Sequence, residues 1–330
     1  MKKNYWNKKP SSFAETVQLV ENYVQVEIRQ ETKDKQLFYH SLDHALAVKS
    51  RASSIFQAIK SFLAQEISAA ELKRLEDLIN LSALAHDMVQ LFDPSTPVNQ
   101  SRKRLTGLSE TETANKLLKY IQDLNRQLTT SDPTSAILFS DRDQQIIQDA
   151  IAATVCQHNS QVDIANDTFS APSIYQPYLY QSQPKISIVG SIIALADLGT
   201  LGMEGADQYI QDGILIFLED NPNYEALIMD CNSQKYEPKT GCDLPDKNLV
   251  RNKLLTMAQF MVSFAHDRKA RFEWEISGFS PQVRQTLRHQ VFIYLSQETI
   301  SQIEAVIPTH QNASLAELID FFYLPKIGIN

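Results

Sequence analysis

Cysteine is scarce in this 330-residue chain, and so is positive charge. Three cysteines, Cys156, Cys231 and Cys242, leave an odd count and form no Cys-x-x-Cys pair, which fits a reducing compartment rather than a disulfide framework. The formal net charge is −8, so bulk electrostatics give no reason to expect nucleic acid or an anionic membrane as partner. The densest basic run is Ser101-Arg102-Lys103-Arg104, which reads as a solvated loop more readily than as a phosphate clamp. A long uninterrupted apolar run is also missing. The most apolar stretch, residues 186–203, carries Asp197 and three glycines, which makes it a poor membrane span and a plausible buried helix. The basic N-terminus lacks the apolar centre of a signal peptide, and the expected location is cytoplasmic.

What is present is ordinary globular material, 43% hydrophobic and 21% charged, enough for one large domain or two small ones. Nearly every long segment repeats its apolar residues at three and four, almost none alternates with period two, and no internal repeat is visible. The expected fold class is therefore all-α. Helices are predicted over 12–30 (with Ser11 or Ser12 as N-cap), 41–63, 68–91, 109–128, 141–158, 186–202, 206–219 and 247–273, with shorter ones near 281–296 and 314–323. Residues 159–184 show no period and read as a long ordered loop, a kind of segment that often carries function. Residues 220–246, with three prolines and many polar residues, mark a boundary. The predicted organisation is an N-terminal helix in 1–34, a metal-binding core in 35–219, an irregular connection in 220–246 and a C-terminal helical extension in 247–330.

The chemistry-bearing residues stand out by their company. An ionised carboxylate in an apolar helix is costly unless it is paired, hydrogen-bonded or bound to metal. Asp197 follows Ile192-Ile193-Ala194-Leu195-Ala196, and no Lys or Arg lies one helical turn away. His86-Asp87, after Leu78, Ile79, Leu81 and Leu84, poses a milder form of the same problem. His40 and His44 are four apart and share a face if a helix begins there. Helices can converge such side chains on one divalent ion. Mixed imidazole and carboxylate ligands suit Zn, Mn, Fe, Ni or Co, with Mg possible at a second, water-rich position.

The order His, then His-Asp, then Asp resembles the HD-domain metal-dependent phosphohydrolase superfamily. Tyr39-His40-Ser41-Leu42-Asp43-His44-Ala45 is similar to the Tyr-His-Asn-x-x-His-Ala motif of its class I cyclic-nucleotide phosphodiesterases, with Ser41 in place of Asn. The resemblance spans about 35–215 and implies a phosphodiesterase-like helical bundle with additional C-terminal helices. It implies that His44, His86, Asp87 and Asp197 ligate the principal metal and that Asp87 bridges to a second one. His40 would be the general acid protonating the leaving oxygen, with a metal-activated hydroxide as nucleophile. Thr154-Val155-Cys156-Gln157-His158 is similar to the family's Thr-x-x-x-His segment, so His158 would lie at the second metal or contact the phosphate. Ser109-Glu110-Thr111-Glu112-Thr113-Ala114 is similar to Glu-x-x-Ser-Ala, which makes Glu110 a candidate for orienting His40 or a metal-bound water. The implied activity is hydrolysis of a small, nucleotide-like phosphoester with one or two divalent ions. The purine-clamping glutamine and the Gly-Tyr-Pro signature of cyclic-dinucleotide enzymes have no counterpart here, so the resemblance carries the catalytic frame and not the substrate.

Two other readings compete. A regulatory protein could keep the frame and the metal without turnover. A di-iron oxygenase would need further histidine ligands, which seven histidines in all supply poorly. The second Ala-His-Asp copy, Ala265-His266-Asp267, is followed by Arg268, Lys269 and Arg271, so ion pairing on a surface helix accounts for it. A minor reading keeps this basic cluster as a phosphate contact reaching across from the C-terminal helices. His289 and His310 read as surface residues.

Overall fold

Serine starts most of the helices. The side chains of Ser12, Ser68, Ser140, Ser187, Ser280, Ser296 and Ser314 each accept the backbone N–H three residues on, closing a helix N-terminus. Each such cap contributes about 1 kcal/mol. The computed structural model describes residues 9–97, 100–129, 136–159, 162–164, 167–169, 173–180, 186–224 and 247–323. Over these residues the fold is all-α. The helices are α1 (Phe13–Lys35), α2 (Leu42–Leu63), α3 (Ala69–Ala85), α4 (Leu108–Thr129), α5 (Asp141–Ala152), α6 (Ile188–Asp197), α7 (Thr200–Met203), α8 (Ala206–Asp220), α9 (Lys247–Glu275), α10 (Pro281–Thr286), α11 (Gln297–Val306) and α12 (Leu315–Phe321). A single π-turn, Leu287–Val291, follows α10. Most of the proposed connection, residues 225–246, lies outside the described residues.

Helix α6 is the hub. Eight consecutive residues, Val189 to Ala196, are buried, and the helix packs against α2, α3 and α5. At about 1.5–3 kcal/mol for each large apolar side chain removed from water, this burial outweighs the cost of carrying one carboxylate at the last turn. Val48, Ile55 and Ile192 share an apolar cluster with Phe272, Ile276 and Phe292, and α10 and the π-turn pack directly on α2. A second cluster joins α8, α9, α11 and α12 through Ile214, Leu254, Ile300 and Leu318. A third joins α1, α3, α4 and α5 through Val20, Leu81, Leu117 and Ile147.

Several sequence expectations change, among them the helix expected near 281–296, which ends at Thr286 before the π-turn. Helix α3 stops at Ala85 rather than near 91, because the backbone N–H groups of Val89 and Leu91 are taken by Thr113 Oγ1 (3.0 Å) and Ser109 Oγ (2.9 Å) of α4. Helix α5 stops at Ala152 rather than at His158. Thr154 Oγ1 donates to the Ile151 carbonyl, and the chain then enters strand β1. The expected loop contains two antiparallel pairs. β1 (Gln157–Asn159) pairs with β4 (Ser173–Tyr175), and β2 (Val162–Ile164) pairs with β3 (Asp167–Phe169). Helix α11 was not expected. No helix of the described residues is long and apolar enough to cross a membrane.

Candidate metal centre

The helix ends that the sequence left unsettled build the site. His44 rises from the first turn of α2, His86 is the C-cap of α3, Asp87 follows it, and Asp197 is the last residue of α6. Their ligand atoms all lie within 4.8 Å of one another. His86 Nε2 is 2.9 Å from Asp87 Oδ2 and 3.4 Å from Asp197 Oδ1; His44 Nε2 is 3.4 Å and 3.8 Å from the same oxygens. For a cation bound at about 2.1 Å, neighbouring ligands lie about 3.0 Å apart and opposite ones about 4.2 Å apart. The group could therefore hold one divalent ion.

The surrounding bonds leave the right atoms free. His86 Nδ1 donates to the Ala83 carbonyl (2.8 Å), which in the neutral ring leaves the lone pair on Nε2. The Nε2 atoms of His44 and His86 are buried and make no hydrogen bond among the described residues. Two amides hold the outer oxygens of the carboxylates: Gln90 Nε2 donates to Asp87 Oδ1 (3.0 Å) and Gln176 Nε2 to Asp197 Oδ2 (2.8 Å). The inner oxygens, Asp87 Oδ2 and Asp197 Oδ1, face the imidazoles. Orphaned buried imidazole nitrogens beside two carboxylates fit a cation in chemistry as well as in spacing.

Electrostatics reflect the crowding. Burial raises the Asp87 carboxyl, but His86, His40 and His44 outweigh it and hold the group well below the ordinary range. Burial opposes protonation of His86, yet Asp87 and Asp197 raise its pKa well above the ordinary value. His44 goes the other way: burial lowers it and the Asp87 contact does not compensate.

His40 sits at the edge of this group, its Nε2 3.6 Å from Asp87 Oδ2. Its other nitrogen, Nδ1, donates to Glu219 Oε1 at 2.5 Å. Burial lowers the His40 pKa, but Glu219 and Asp87 outweigh that and raise it. Glu219 lies in the last turn of α8, its side chain wholly buried. Oε2 of Glu219 accepts the backbone N–H groups of Tyr39 and His40, each at 2.9 Å, and Arg104 Nη2 donates to Oε1 at 2.6 Å. Burial pushes the Glu219 carboxyl up, but His40 and Arg104 hold it far below the usual range.

Glu219 makes the contact to His40 that was one of the two roles the resemblance implied for Glu110, the other being to orient a metal-bound water. Glu110 lies in the first turn of α4, and its buried Oε2 has no hydrogen-bond partner among the described residues. Burial raises the Glu110 carboxyl, helped by the nearby charges of Asp87 and Asp197. No hydrogen bond joins it to His40 among the described residues. His158 is in β1, and its side chain lies outside the described residues. Arg104 corrects the solvated-loop reading of residues 101–104, since Nη2 also meets Asp220 Oδ1 at 3.0 Å and the guanidinium sits over Phe92. Glu219 had a readable signal. It follows Phe217-Leu218 on a buried helix face with no basic residue nearby in sequence, the same logic that selects Asp197.

The second Ala-His-Asp copy contributes no residue to this group. His266 is exposed and pairs with Glu304 at 2.8 Å. The surface reading fails for its neighbours. Asp267 and Arg268 are buried, and Arg268 pairs with Glu275, not with Asp267.

No protein-family model, curated protein or solved structure matches the chain.

Proposed function

We propose that the chain is an HD-type metal-dependent phosphohydrolase that cleaves a small phosphate ester. His44, His86, Asp87 and Asp197 would hold the principal divalent ion. The observation that carries the reading is the joint placement of this cluster and His40. One imidazole nitrogen of His40 is anchored on a buried carboxylate, and the other lies 3.6 Å from a metal-ligand oxygen. A bound divalent ion would supply Lewis acidity and a water acidified toward neutrality.

The chain's own residues do the rest. Gln90 and Gln176 keep the two carboxylates turned inward. Ala83 fixes the His86 tautomer. Glu219 holds His40 with its proton-bearing Nε2 toward the centre, so that a leaving oxygen arriving beside Asp87 can take that proton. Glu110, its carboxyl raised by burial and by the charges of Asp87 and Asp197, with a buried Oε2 that has no partner among the described residues, is suited to accept or donate a hydrogen bond to water. The proposed substrate class is a nucleotide-like phosphoester, and the ion is one of Mg, Mn, Zn, Fe, Ni or Co. A panel of phosphoesters assayed with each of Mn, Mg, Ni and Co tests the proposal. Turnover with at least one metal is expected. Binding without hydrolysis across the panel would instead favour a regulatory protein on the same frame.

A further inference from the structure

We propose that Arg104 is a positioning residue for His40, acting through Glu219; this rests on His40 being the proton donor of the proposed reaction. Glu219 collects four donors on two buried oxygens: the two backbone N–H groups of the His40 turn on Oε2, and the His40 ring and Arg104 on Oε1. Its neighbour Asp220 adds a second carboxylate at the same helix end. Burial raises the Asp220 carboxyl and the Glu219 charge raises it further, while Arg104 works against both. Arg104 is the cation placed between the two: Nη2 is 2.6 Å from Glu219 Oε1 and 3.0 Å from Asp220 Oδ1, and Nη1 is 3.4 Å from Asp220 Oδ2. Without it, two adjacent, largely buried carboxylates would repel one another across the atom that anchors His40.

The loop that delivers Arg104 is itself tied to α8. Arg102 donates its backbone N–H to the Asp220 carbonyl (2.7 Å), and Ser101 Oγ donates to Asn221 Oδ1 (2.6 Å). Phe92 pairs with Arg104 through a β-bridge and lies under its guanidinium. The guanidinium is therefore held from several sides, as a part that fixes another must be. Its terminal nitrogens face carboxylates, which argues against direct service as a phosphate clamp. The same guanidinium passes 3.4 Å from His40 Nδ1, so its displacement would be felt at the ring immediately.

The test uses the full chain and the variants Arg104→Gln and Arg104→Lys, with metal content measured first. Two phosphoesters are compared, one releasing p-nitrophenolate, which departs without a proton, and one releasing an aliphatic alkoxide, which requires one. Arg104→Gln should lower kcat on the alkyl ester by about 10- to 100-fold, as loss of a supporting contact does elsewhere. On the p-nitrophenyl ester the loss should be several-fold smaller, with KM and metal content held on both. Arg104→Lys should recover part of the rate. The NMR signal of the His40 Nδ1 proton, bonded to Glu219, should be shifted or lost in Arg104→Gln in the metal-free protein. An unchanged Nδ1 signal overturns the proposal, and so does an equal loss on both esters with raised KM, which would make Arg104 a phosphate contact. If the wild-type chain hydrolyses neither ester, the phosphohydrolase reading fails, while the NMR comparison still decides the role of Arg104. If Arg104→Gln does not fold, Arg104→Lys carries the same comparison, and an unchanged Nδ1 signal there overturns the proposal.

Discussion

His86 Nε2 lies 3.4 Å from Asp197 Oδ1, across the junction of two buried helix ends, and no hydrogen bond satisfies that nitrogen among the described residues. A cation between them would supply a partner for that nitrogen and for the two half-buried carboxylates. Replacing His86 or Asp87 with Ala is therefore expected to abolish stoichiometric metal binding and activity together. His40→Ala should keep the metal and lose about 10²- to 10⁴-fold in turnover, the usual contribution of a general acid. Metal analysis by emission spectroscopy, run alongside kinetics, checks both. Full activity in Asp87→Ala would contradict the proposed chemistry.

Metal binding should release protons. In the metal-free protein the Asp87 and Asp197 charges outweigh burial and raise the His86 pKa above 6.5, so near neutrality a proton occupies the position a metal would take. Affinity should fall as pH drops through that raised pKa. Calorimetric Mn²⁺ titrations in buffers of different ionisation enthalpy will show proton release between pH 6 and pH 8. Buffer-independent heats would contradict the protonated His86.

Acid should weaken the fold through Asp143. Burial pushes this carboxyl up, but Arg74 and the Ser140 cap outweigh it and lower its pKa. Arg74 binds both oxygens, Nε to Oδ1 at 2.9 Å and Nη2 to Oδ2 at 2.6 Å. A depressed carboxyl contributes stability above its unfolded pKa, near 3.8, and loses it as pH falls through the folded value. Asp143→Asn is expected to cost about 1–3 kcal/mol at neutral pH. It should also flatten the acid limb of the stability curve below pH 4, as read by urea unfolding.

The second His-Asp copy separates structure from chemistry. His266→Ala removes only an exposed ion pair, so stability should change by less than about 1 kcal/mol. Its metal content and activity should match the wild type. Arg268→Ala strands Glu275, whose other oxygen takes the Tyr180 hydroxyl, and breaking such a buried pair costs about 3–5 kcal/mol. Thermal unfolding of the two variants side by side checks the contrast.

Helical class was legible because period-3.6 patterning is local. The residues of the candidate metal centre stood out for a different reason, since Asp197 and His86-Asp87 sit in apolar company with no partner nearby in sequence. What escaped depended on partners distant in the chain. The end of α3 is set by Ser109 and Thr113 of α4, which compete for its backbone donors. The His40 anchor, Glu219, stands far along the chain on α8, and Arg104 looked like part of a solvated run. The strands are three residues each, too short to show alternation. Of the arginines that follow Asp267, Arg271 does act on its carboxyl through its charge, whereas Arg268 turns to Glu275 and the Leu198 carbonyl.

The most direct measurement is a calorimetric titration of the chelator-stripped chain with Mn²⁺ and Zn²⁺, repeated on Asp197→Ala. A buried four-ligand site predicts stoichiometric binding in the wild type and a loss of affinity of about 100-fold or more when Asp197 is removed. No binding by the wild type, or equal binding by Asp197→Ala, would contradict a metal centre at His44, His86, Asp87 and Asp197.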